Sequence, residues 1–336
     1  MTDAVPTGVA TGVGSLPGTD IDSALAMVFD ALPDLPHLPE LPARGPGADL
    51  VGRTAAALVD LHVDLQPAGW RLVSRGGIDE QRATDLLERD LDALVPVAPG
   101  YDGLFKVQIC GPLTLAATVE LPRGGKALGD AGAVRDLVAA LAETVRAHLA
   151  DVRRRLPAAR LVLQLDEPAL PAALAGRIPT ASGLGRLRAI DPTDAATALR
   201  TVLSAVGEPT VVHCCDRDVP LALLHDAGAG GVSVDLAVAR LDLDEVGERV
   251  EQGLVLWLGA VPALGPGVPP TARELLDPVR ELWRRLALPA DLLVQRIALT
   301  PACGLAGASD GWSHTALRLL TQAARALVEA PEGLRR

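Results

Sequence analysis

Residues 209–236 of the chain read P-T-V-V-H-C-C-D-R-D-V-P-L-A-L-L-H-D-A-G-A-G-G-V-S-V-D-L. Two short β-branched runs, 209–215 and 231–236, flank a helix-like segment over 216–229. A strand, a helix and a second strand in this order are typical of two parallel strands joined by a crossover helix. The stretch therefore predicts an α/β protein with parallel strands.

The same alternation runs through most of the chain. Candidate strands lie at 8–15, 69–74, 104–110, 160–166, 209–215, 231–236, 254–261 and 294–300. Helix-like segments lie at 79–96, 131–156, 193–206, 216–229, 241–252, 271–288 and 311–329. Eight strands alternating with helices favour a (β/α)8 TIM barrel, built as a single domain over 1–336 with a Pro-rich extended loop at 32–47. An open doubly wound sheet, which uses the same local patterns, is the alternative.

Chemically reactive residues stand at the carboxyl ends of these candidate strands, and this favours the barrel. They are Ser15, Asp166, His213, Cys215, Asp235 and Cys303. In a (β/α)8 barrel the carboxyl ends of all strands open on one face, which is where active sites lie. The sequence therefore predicts one shared site rather than scattered polar residues.

The amino-acid composition limits the classes of binding partner and the cellular compartment that we expect. The 336 residues are 49% hydrophobic and carry a formal net charge of −11, which argues against nucleic acid or an anionic membrane as partner. Four cysteines, two of them adjacent, do not make a disulfide framework, so we expect a reduced, cytoplasmic protein. The longest uncharged stretch, 253–272, contains four prolines and is not expected to be a membrane helix.

The H-C-C run and the later P-A-C-G-L segment suggest a metal site. His213 and Cys215 point to one face of their strand, while Cys214 points to the other. With Cys303 they offer one nitrogen and two sulfur ligands, a set that prefers zinc and leaves a position open for a thiol substrate. The alternative, equally weighted from spacing alone, is an ordinary buried strand with core cysteines.

Two further motifs offer groups that could bind an amino acid. In Q-L-D-E-P-A-L, residues 164–170, Asp166 could hold a substrate ammonium. In G-V-G-S-L-P-G-T, residues 12–19, the turn at Ser15 could receive a carboxylate or phosphate through its backbone N–H groups. The turn lacks the third glycine of a dinucleotide fingerprint, and an ordinary solvated turn is the alternative for the acidic motif.

Asp235 follows the strand after the H-C-C strand, and its role is open. It could be a fourth, exchangeable oxygen ligand of the metal or the group that orients His213. It could equally be a capping residue before a helix.

Taken together, G-S-L-P-G-T, Q-I-C-G-P-L-T, Q-L-D-E-P-A-L, H-C-C and P-A-C-G-L occur in the order found in cobalamin-independent methionine synthase. The chain resembles the C-terminal catalytic zinc barrel of that family over nearly its whole length. It has no counterpart of the family's N-terminal barrel, so it resembles a short, core form. Enzymes of the related uroporphyrinogen decarboxylase-like barrels include corrinoid-dependent methyltransferases.

The resemblance implies a role for each candidate residue. His213, Cys215 and Cys303 match the family's zinc-binding residues, and Asp235 falls where the family usually has a glutamate ligand. Ser15 matches the region that holds the homocysteine carboxylate, and Asp166 matches the acid that holds its ammonium. The family activates homocysteine as a zinc thiolate, which attacks a methyl group and gives methionine.

The residues expected to bind folate differ from the family's pattern. Thr118 stands where a tryptophan stacks on the folate, and Ala172 stands where a glutamate binds it. The segment 262–270, which in the family carries a proton-donating histidine, reads P-A-L-G-P-G-V-P-P. We therefore expect a zinc-dependent homocysteine S-methyltransferase whose donor is methyltetrahydrofolate or a methyl-corrinoid, free or carried by a corrinoid protein. The alternatives are a corrinoid-dependent methyltransferase acting on another thiol and a non-catalytic zinc- or thiol-binding module.

Overall fold

A computed structural model describes residues 4–333 as an α/β protein centred on a parallel six-stranded sheet. The strands are β1 (His62–Gln66), β2 (Gly69–Val73), β3 (Leu104–Cys110), β4 (Arg160–Asp166), β5 (Thr210–His213), β6 (Gly231–Asp235), β7 (Val255–Val261) and β8 (Ile297–Pro301). The helices are α1 (Ile21–Ala31), α2 (Leu50–Ala56), α3 (Ile78–Asp92), α4 (Leu94–Val97), α5 (Pro112–Thr118), α6 (Ala131–Arg155), α7 (Leu170–Leu174), α8 (Pro192–Leu203), α9 (Leu221–Asp226), α10 (Leu243–Glu251), α11 (Ala272–Leu286), α12 (Ala290–Arg296) and α13 (Asp310–Glu329).

The sheet has the strand order β3-β4-β5-β6-β7-β8, so strands adjacent in sequence are adjacent in space. All five pairs are parallel, and Asp166 at the end of β4 lies between Cys110 on β3 and His213 on β5. This half-barrel is consistent with a TIM-barrel-like fold and confirms the predicted parallel α/β class. Its strands all present their carboxyl ends on the same side.

Both edges of the sheet are covered by extended backbone. Segment 8–16 runs beside β8, where the Thr11 N–H donates to the Leu299 carbonyl over 3.0 Å. Segment 36–40 runs beside β3, where the Leu38 N–H donates to the Lys106 carbonyl over 3.0 Å. The two segments also bond to each other, through Leu16 N to Glu40 O at 2.9 Å and Glu40 N to Gly14 O at 3.1 Å. The backbone groups at each edge are thereby paired.

Helix termini follow the local sequence closely. The α11 helix begins after Thr271, whose hydroxyl and Glu274 carboxylate form a reciprocal capping box. One face of α11 is apolar at helical spacing, and its buried residues include Leu275, Val279 and Leu282. The outer helices of the molecule thus bury one stripe against the sheet.

Several sequence predictions about secondary structure were wrong. The predicted strand 8–15 is no continuous strand; it forms only isolated bridges, at Ala10 and Ser15. The predicted strand 294–300 begins inside α12 and is a strand only from Ile297.

Two further predictions differ from the structure. The predicted strand 69–74 does not join the parallel sheet; it forms β2, which pairs antiparallel with β1 in a separate hairpin. Its alternating pattern, with Trp70 and Leu72 buried, was read correctly as a strand. A period of two cannot identify the partner strand, however, and the partner here is the closest one in sequence. The predicted helix 216–229 is helical only over α9.

The interior of the sheet changes character along the strands. Near the amino ends lies an apolar layer, consisting of Val5, Leu35, Val162, Val211, Val255, Trp257 and Ala298. Toward the carboxyl ends lies a buried polar network, consisting of Glu40, Gln108, Gln164, Asp166 and Lys106, of which Lys106 reaches back to the level of Val162, its register partner on β4. Among the described residues, no helix is both long and apolar enough to cross a membrane.

Candidate metal centre

Three of the sequence-predicted ligands come together at the carboxyl side of the sheet. His213 is the last residue of β5, Cys215 follows two residues later, and Cys303 lies in the loop after β8. Their ligand atoms all lie within 4.8 Å of one another. Because β6 and β7 separate β5 from β8 in the sheet, this meeting requires a strongly curved sheet. Cys214 is fully buried and lies outside the group.

The His213 ring has one partnered nitrogen and one orphan nitrogen. Its Nδ1 lies 3.0 Å from the Ser233 hydroxyl, while its buried Nε2 has no hydrogen-bond partner among the described residues. An unsatisfied buried polar atom is costly, so an orphan of this kind calls for an explanation. A metal ligated at Nε2 would supply one, with Ser233 fixing the orientation of the ring as partners of metal-binding histidines do.

Sequence reasoning missed Ser233, although a signal for it existed. Ser233 and Asp235 lie two residues apart on β6, so they face the same side of the sheet. The parallel register then places Ser233 opposite His213. The D-L end of the G-V-S-V-D-L motif points instead to Asp235 as the orienting group.

Asp235 has a different environment in this structure. It is half-buried, and its Oδ1 accepts a hydrogen bond from the Ala237 N–H over 2.9 Å. It does not belong to the group formed by His213, Cys215 and Cys303. Its service as a metal ligand stays a prediction.

The two sulfurs form a coupled pair. The Sγ atoms of Cys215 and Cys303 lie 3.4 Å apart. The hydrogen bond with Cys215 lowers the pKa of Cys303 to about 4, helped by His213 and opposed by burial. The same hydrogen bond and burial raise the pKa of Cys215 well above its usual range. The pair therefore loses its first proton more readily than an isolated cysteine does, and a thiolate is the form that binds metal.

The donor set fits zinc. One imidazole nitrogen and two thiolates are ligands of the kind that zinc prefers, and three protein ligands leave a fourth tetrahedral position for a substrate. The orphan Nε2 of His213 and the close sulfur pair are the structural observations behind this match.

The polar network lies beside this centre. Gln164 Nε2 donates to Asp166 Oδ1 over 2.7 Å and to the Val13 carbonyl over 2.8 Å. Burial raises the pKa of Asp166 to about 7; nearby His213 lowers it, Glu40 raises it and Lys106 lowers it. Asp166 therefore lies in an environment where its negative charge is expensive without a cationic partner.

The two acids of the D-E-P motif have separate roles. Glu167 accepts from the Leu113 and Thr114 N–H groups, both at 2.8 Å, and from the Thr114 hydroxyl at 2.7 Å. It caps the first turn of α5 and is fully buried. Burial raises its pKa to about 7, against the effect of these three donors. Glu167 therefore holds α5 on the sheet, while Asp166 belongs to the polar network.

Ser15 lies against the loop that carries Cys303. Its carbonyl accepts from the Leu305 N–H over 2.8 Å. A Cβ atom at Gly304 would overlap the Ser15 hydroxyl oxygen, so a larger residue there would displace it. The turn that sequence reasoning assigned to a substrate carboxylate is thus packed directly beside a candidate metal ligand.

The positions where sequence predicted weak folate binding are also placed by the structure. Thr118 ends α5, and its hydroxyl donates to the Thr114 carbonyl over 2.5 Å. The segment 262–270 connects β7 to α11 and is mostly exposed, with Leu264 and Val268 at 63% and 82% exposure. It contains no side chain that titrates near neutral pH.

Comparisons with known proteins agree with this picture. The sequence model described as the cobalamin-independent synthase catalytic domain matches residues 7–326. A solved B12-independent methionine synthase from Shewanella sp. W3-18-1, in complex with selenomethionine, superposes with a TM-score of 0.63 at 12% identity, covering 96% of this chain and 98% of that one. At that identity the likeness shows the fold alone. No curated protein sequence matches the chain.

The family match spans almost the whole sequence, and it confirms the resemblance read from the five ordered motifs. The coarse function that follows is that of a methyltransferase of the methionine synthase type. This chain belongs to the cobalamin-independent synthase catalytic-domain family.

Proposed function

We propose that the chain is a zinc-dependent S-methyltransferase that converts homocysteine to methionine. The observation that carries the proposal is the convergence of His213, Cys215 and Cys303 within 4.8 Å, with the His213 Nε2 unpaired. Family membership supports the methyl-transfer chemistry. The solved relative that binds selenomethionine supports an amino-acid thioether as the product class.

His213, Cys215 and Cys303 would hold the metal, and Ser233 would keep the histidine ring oriented. Zinc, when bound, would supply a Lewis acid that stabilises the thiolate form of a thiol substrate at neutral pH. The short distance from Cys303 to the Ser15 turn through Gly304 supports binding of the substrate's other end next to its sulfur.

The amino-acid end of homocysteine would bind between the Ser15 turn and Asp166. The Ser15 turn would receive the carboxylate, and Asp166 would accept a hydrogen bond from the ammonium. An ammonium in a buried site needs an anionic partner, and Asp166 is 5% exposed with a carboxylate that burial destabilises. The substrate ammonium would therefore stabilise the charge of the Asp166 carboxylate, and the carboxylate would stabilise the charge of the ammonium.

Segments 8–16 and 36–40 would occupy the first two strand positions of a complete (β/α)8 barrel in one catalytic domain. Their hydrogen bonds to β8, to β3 and to each other support this closure. A site with two thiolates and a thiol substrate needs a reducing compartment, so we place the reaction in the cytoplasm.

The methyl donor is proposed to be a methyl-corrinoid, free or carried by a protein, rather than methyltetrahydrofolate. The leaving nitrogen of a methylfolate must be protonated, which requires a positioned acid. Segment 262–270 offers no such acid, and Thr118 offers no ring for stacking on a pterin. A corrinoid leaving group needs neither.

A methyl-transfer assay tests the function and the donor together. Zinc-loaded protein is incubated with L-homocysteine and either methylcobalamin or mono- or polyglutamyl methyltetrahydrofolate, and methionine is measured by mass spectrometry. We expect turnover to be faster with methylcobalamin. Efficient turnover with methylfolate in corrinoid-free protein contradicts the donor. Turnover of another thiol, but not of homocysteine, identifies the alternative methyltransferase, and zinc binding without turnover of any thiol with either donor identifies a non-catalytic module.

Asp235 is proposed to contribute as an exchangeable ligand or as a group near the metal. Because its carboxylate caps a turn in this structure, Asp235→Ala should lower the rate of methyl transfer more than the zinc content. Zinc is measured by atomic emission on the dialysed variant. A metal-free Asp235→Ala protein would make Asp235 an obligatory ligand instead.

A further inference from the structure

We propose that Lys106 is a positioning residue for the amino-acid end of the thiol substrate, acting through the Val13–Ser15 backbone and through Gln108. The inference rests on the proposed function, because it assigns a residue to the same site. No motif in the sequence singled out Lys106, which lies in the interior of β3.

The contacts of Lys106 lead to both sides of the proposed subsite. Its Nζ donates to the Val13 carbonyl over 2.8 Å, two residues before Ser15. The same Nζ donates to Gln108 Oε1 over 3.0 Å. One ammonium group thus holds the chain segment that would receive the substrate carboxylate and fixes the amide of Gln108.

Gln108 connects the Lys106 ammonium to the segment that contains Leu38 and Glu40. With its Oε1 engaged by Lys106, its Nε2 must point the other way, and it donates to the Leu38 carbonyl over 2.7 Å and to Glu40 Oε1 over 3.2 Å. Glu40 is 5% exposed and acts electrostatically on Asp166, the proposed ammonium partner. Without the ammonium, Gln108 Oε1 would lose its donor, and only the two acceptors beside Nε2 would still hold the amide in this orientation.

The Val13 carbonyl is shared by two donors. Gln164 Nε2 also reaches it over 2.8 Å while donating to Asp166. The carbonyl therefore links the Lys106 ammonium to the group that orients the Asp166 carboxylate. The carboxylate-receiving turn and the ammonium-receiving acid are connected through one atom, whose position depends on Lys106.

The cost of burying Lys106 argues that it does more than fill space. Its side chain is fully buried, and burial lowers its pKa to about 7, with Asp166 and Glu40 opposing that shift. Buried ion pairs and triads are often replaceable as a whole by apolar residues with no loss of stability, or with a gain, whereas removal of one partner alone is destabilising. Apolar residues in place of Lys106, Glu40 and Asp166 together would avoid the cost of burying these charges, so stability alone does not explain why the set is charged.

Replacement of Lys106 by methionine is the first test, because methionine keeps the chain length and removes the charge and the donors. For Lys106→Met we expect the KM for L-homocysteine to rise about tenfold or more, the scale of one lost orienting interaction. Zinc content and the rate with ethanethiol, which lacks both charged groups, should stay at wild-type values. Lys126→Met, which removes the chain's other lysine, should change none of these quantities.

A spectroscopic test uses wild-type protein and does not depend on the variant folding. With only two lysines in the sequence, lysine labelled at Cε and Nζ gives two NMR signals, and Lys126→Met assigns them. Adding L-methionine to the zinc-loaded protein should shift the Lys106 signal and leave the Lys126 signal in place. Binding is followed in parallel by calorimetry.

The possible outcomes separate the two proposals. If wild-type protein does not methylate homocysteine with any donor, the proposed function fails, whatever happens at Lys106. If wild-type protein is active but Lys106→Met keeps its KM, the positioning role is wrong. The role is equally wrong if L-methionine binds by calorimetry without moving the Lys106 signal, and it is supported if both the KM and the signal respond.

Discussion

The amino ends of the sheet strands bury apolar side chains, whereas the carboxyl ends bury polar and ionisable ones. At the amino ends, the apolar layer around Trp257 buries side chains without cost to any polar group. At the carboxyl ends, the polar network and His213 bury charges, an orphan nitrogen and a coupled pair of thiols. Burial of apolar surface stabilises the fold, whereas burial of ionisable groups costs free energy unless they are paired. The molecule thus separates stability from reactivity along the strand axis.

The largest effect should come from the candidate ligands. Cys215→Ser or Cys303→Ser should lower the zinc content from about one per chain to near zero and abolish methyl transfer, because serine is a poor zinc ligand. Cys214→Ser is the matched control. It changes the neighbouring thiol, which is fully buried outside the ligand group, and should keep zinc.

Zinc content by atomic emission and methionine formation by mass spectrometry measure this prediction. Zinc retained in Cys215→Ser, or lost in Cys214→Ser, would reverse the assignment of the two strand faces.

A substitution in the apolar layer should lower the stability of the fold and leave zinc binding and substrate binding unchanged. Trp257→Leu removes part of a fully buried ring and the hydrogen bond from its indole N–H to the Pro6 carbonyl at 3.2 Å. We expect the free energy of unfolding to fall by about 3 kcal/mol, with zinc content and the KM for homocysteine unchanged. Urea denaturation measures it, and Leu184→Ala, at a side chain 94% exposed, is the control with little effect. A strong loss of zinc in folded Trp257→Leu would contradict the separation of the two layers.

At the polar end, Asp166→Asn should cost function and not stability. The asparagine oxygen can still accept from Gln164, but the charge that would pair with the substrate ammonium is lost. We expect kcat/KM for homocysteine to fall about 10- to 150-fold, the range of a lost charge-assisted hydrogen bond. The exposed Asp102→Asn serves as control. If wild-type protein methylates thiols without an amino group equally well, homocysteine is the wrong acceptor.

The smallest effect concerns a buried histidine outside the strands. Burial lowers the pKa of His148 on α6 to about 3, with Arg53 and Arg155 adding to it. Below the ordinary value of 6.5 the unfolded chain takes up a proton here and the folded chain does not, so stability falls as the pH falls. Between pH 7.5 and pH 5 this group should account for about 2 kcal/mol of lost stability.

Urea denaturation at both pH values checks this, by comparing the wild type with His148→Leu and with the more exposed His314→Gln as control. A pH dependence that is identical in wild type and His148→Leu would show that His148 is protonated in the folded chain. The comparison separates the loss of stability at low pH that is due to His148 on α6 from any loss that is due to the candidate metal centre.

Sequence reasoning was most accurate where local chemistry decides the outcome. The strands 104–110 and 160–166 were predicted with the bounds of β3 and β4, because short runs rich in Leu, Val and Ile are typical of buried parallel strands. The H-x-C spacing placed His213 and Cys215 on one face, and the structure brings Cys303 to them.

The local sequence patterns do not show which other segment of the chain each strand or loop pairs with. The strand 69–74 was recognisable, but its pairing with β1 depends on chain geometry rather than on its own residues. Segment 36–40 was predicted as part of an extended Pro-rich loop; its bonds to β3 and to segment 8–16 could not be inferred from composition. Lys106, Glu40 and Ser233 were missed for the same reason, because each gains its meaning only from the neighbouring strand.

The hydrogen bond from the Leu305 N–H to the Ser15 carbonyl joins two residues that lie far apart in the sequence. During synthesis the Gly12–Ser15 turn emerges long before β8 and Cys303. A nascent chain that lacks β8 therefore has neither the third candidate ligand nor the strand beside which segment 8–16 is aligned. Metal capture by all three ligands is consequently possible only after β8 and Cys303 have left the ribosome, and contacts of such long sequence separation form slowly.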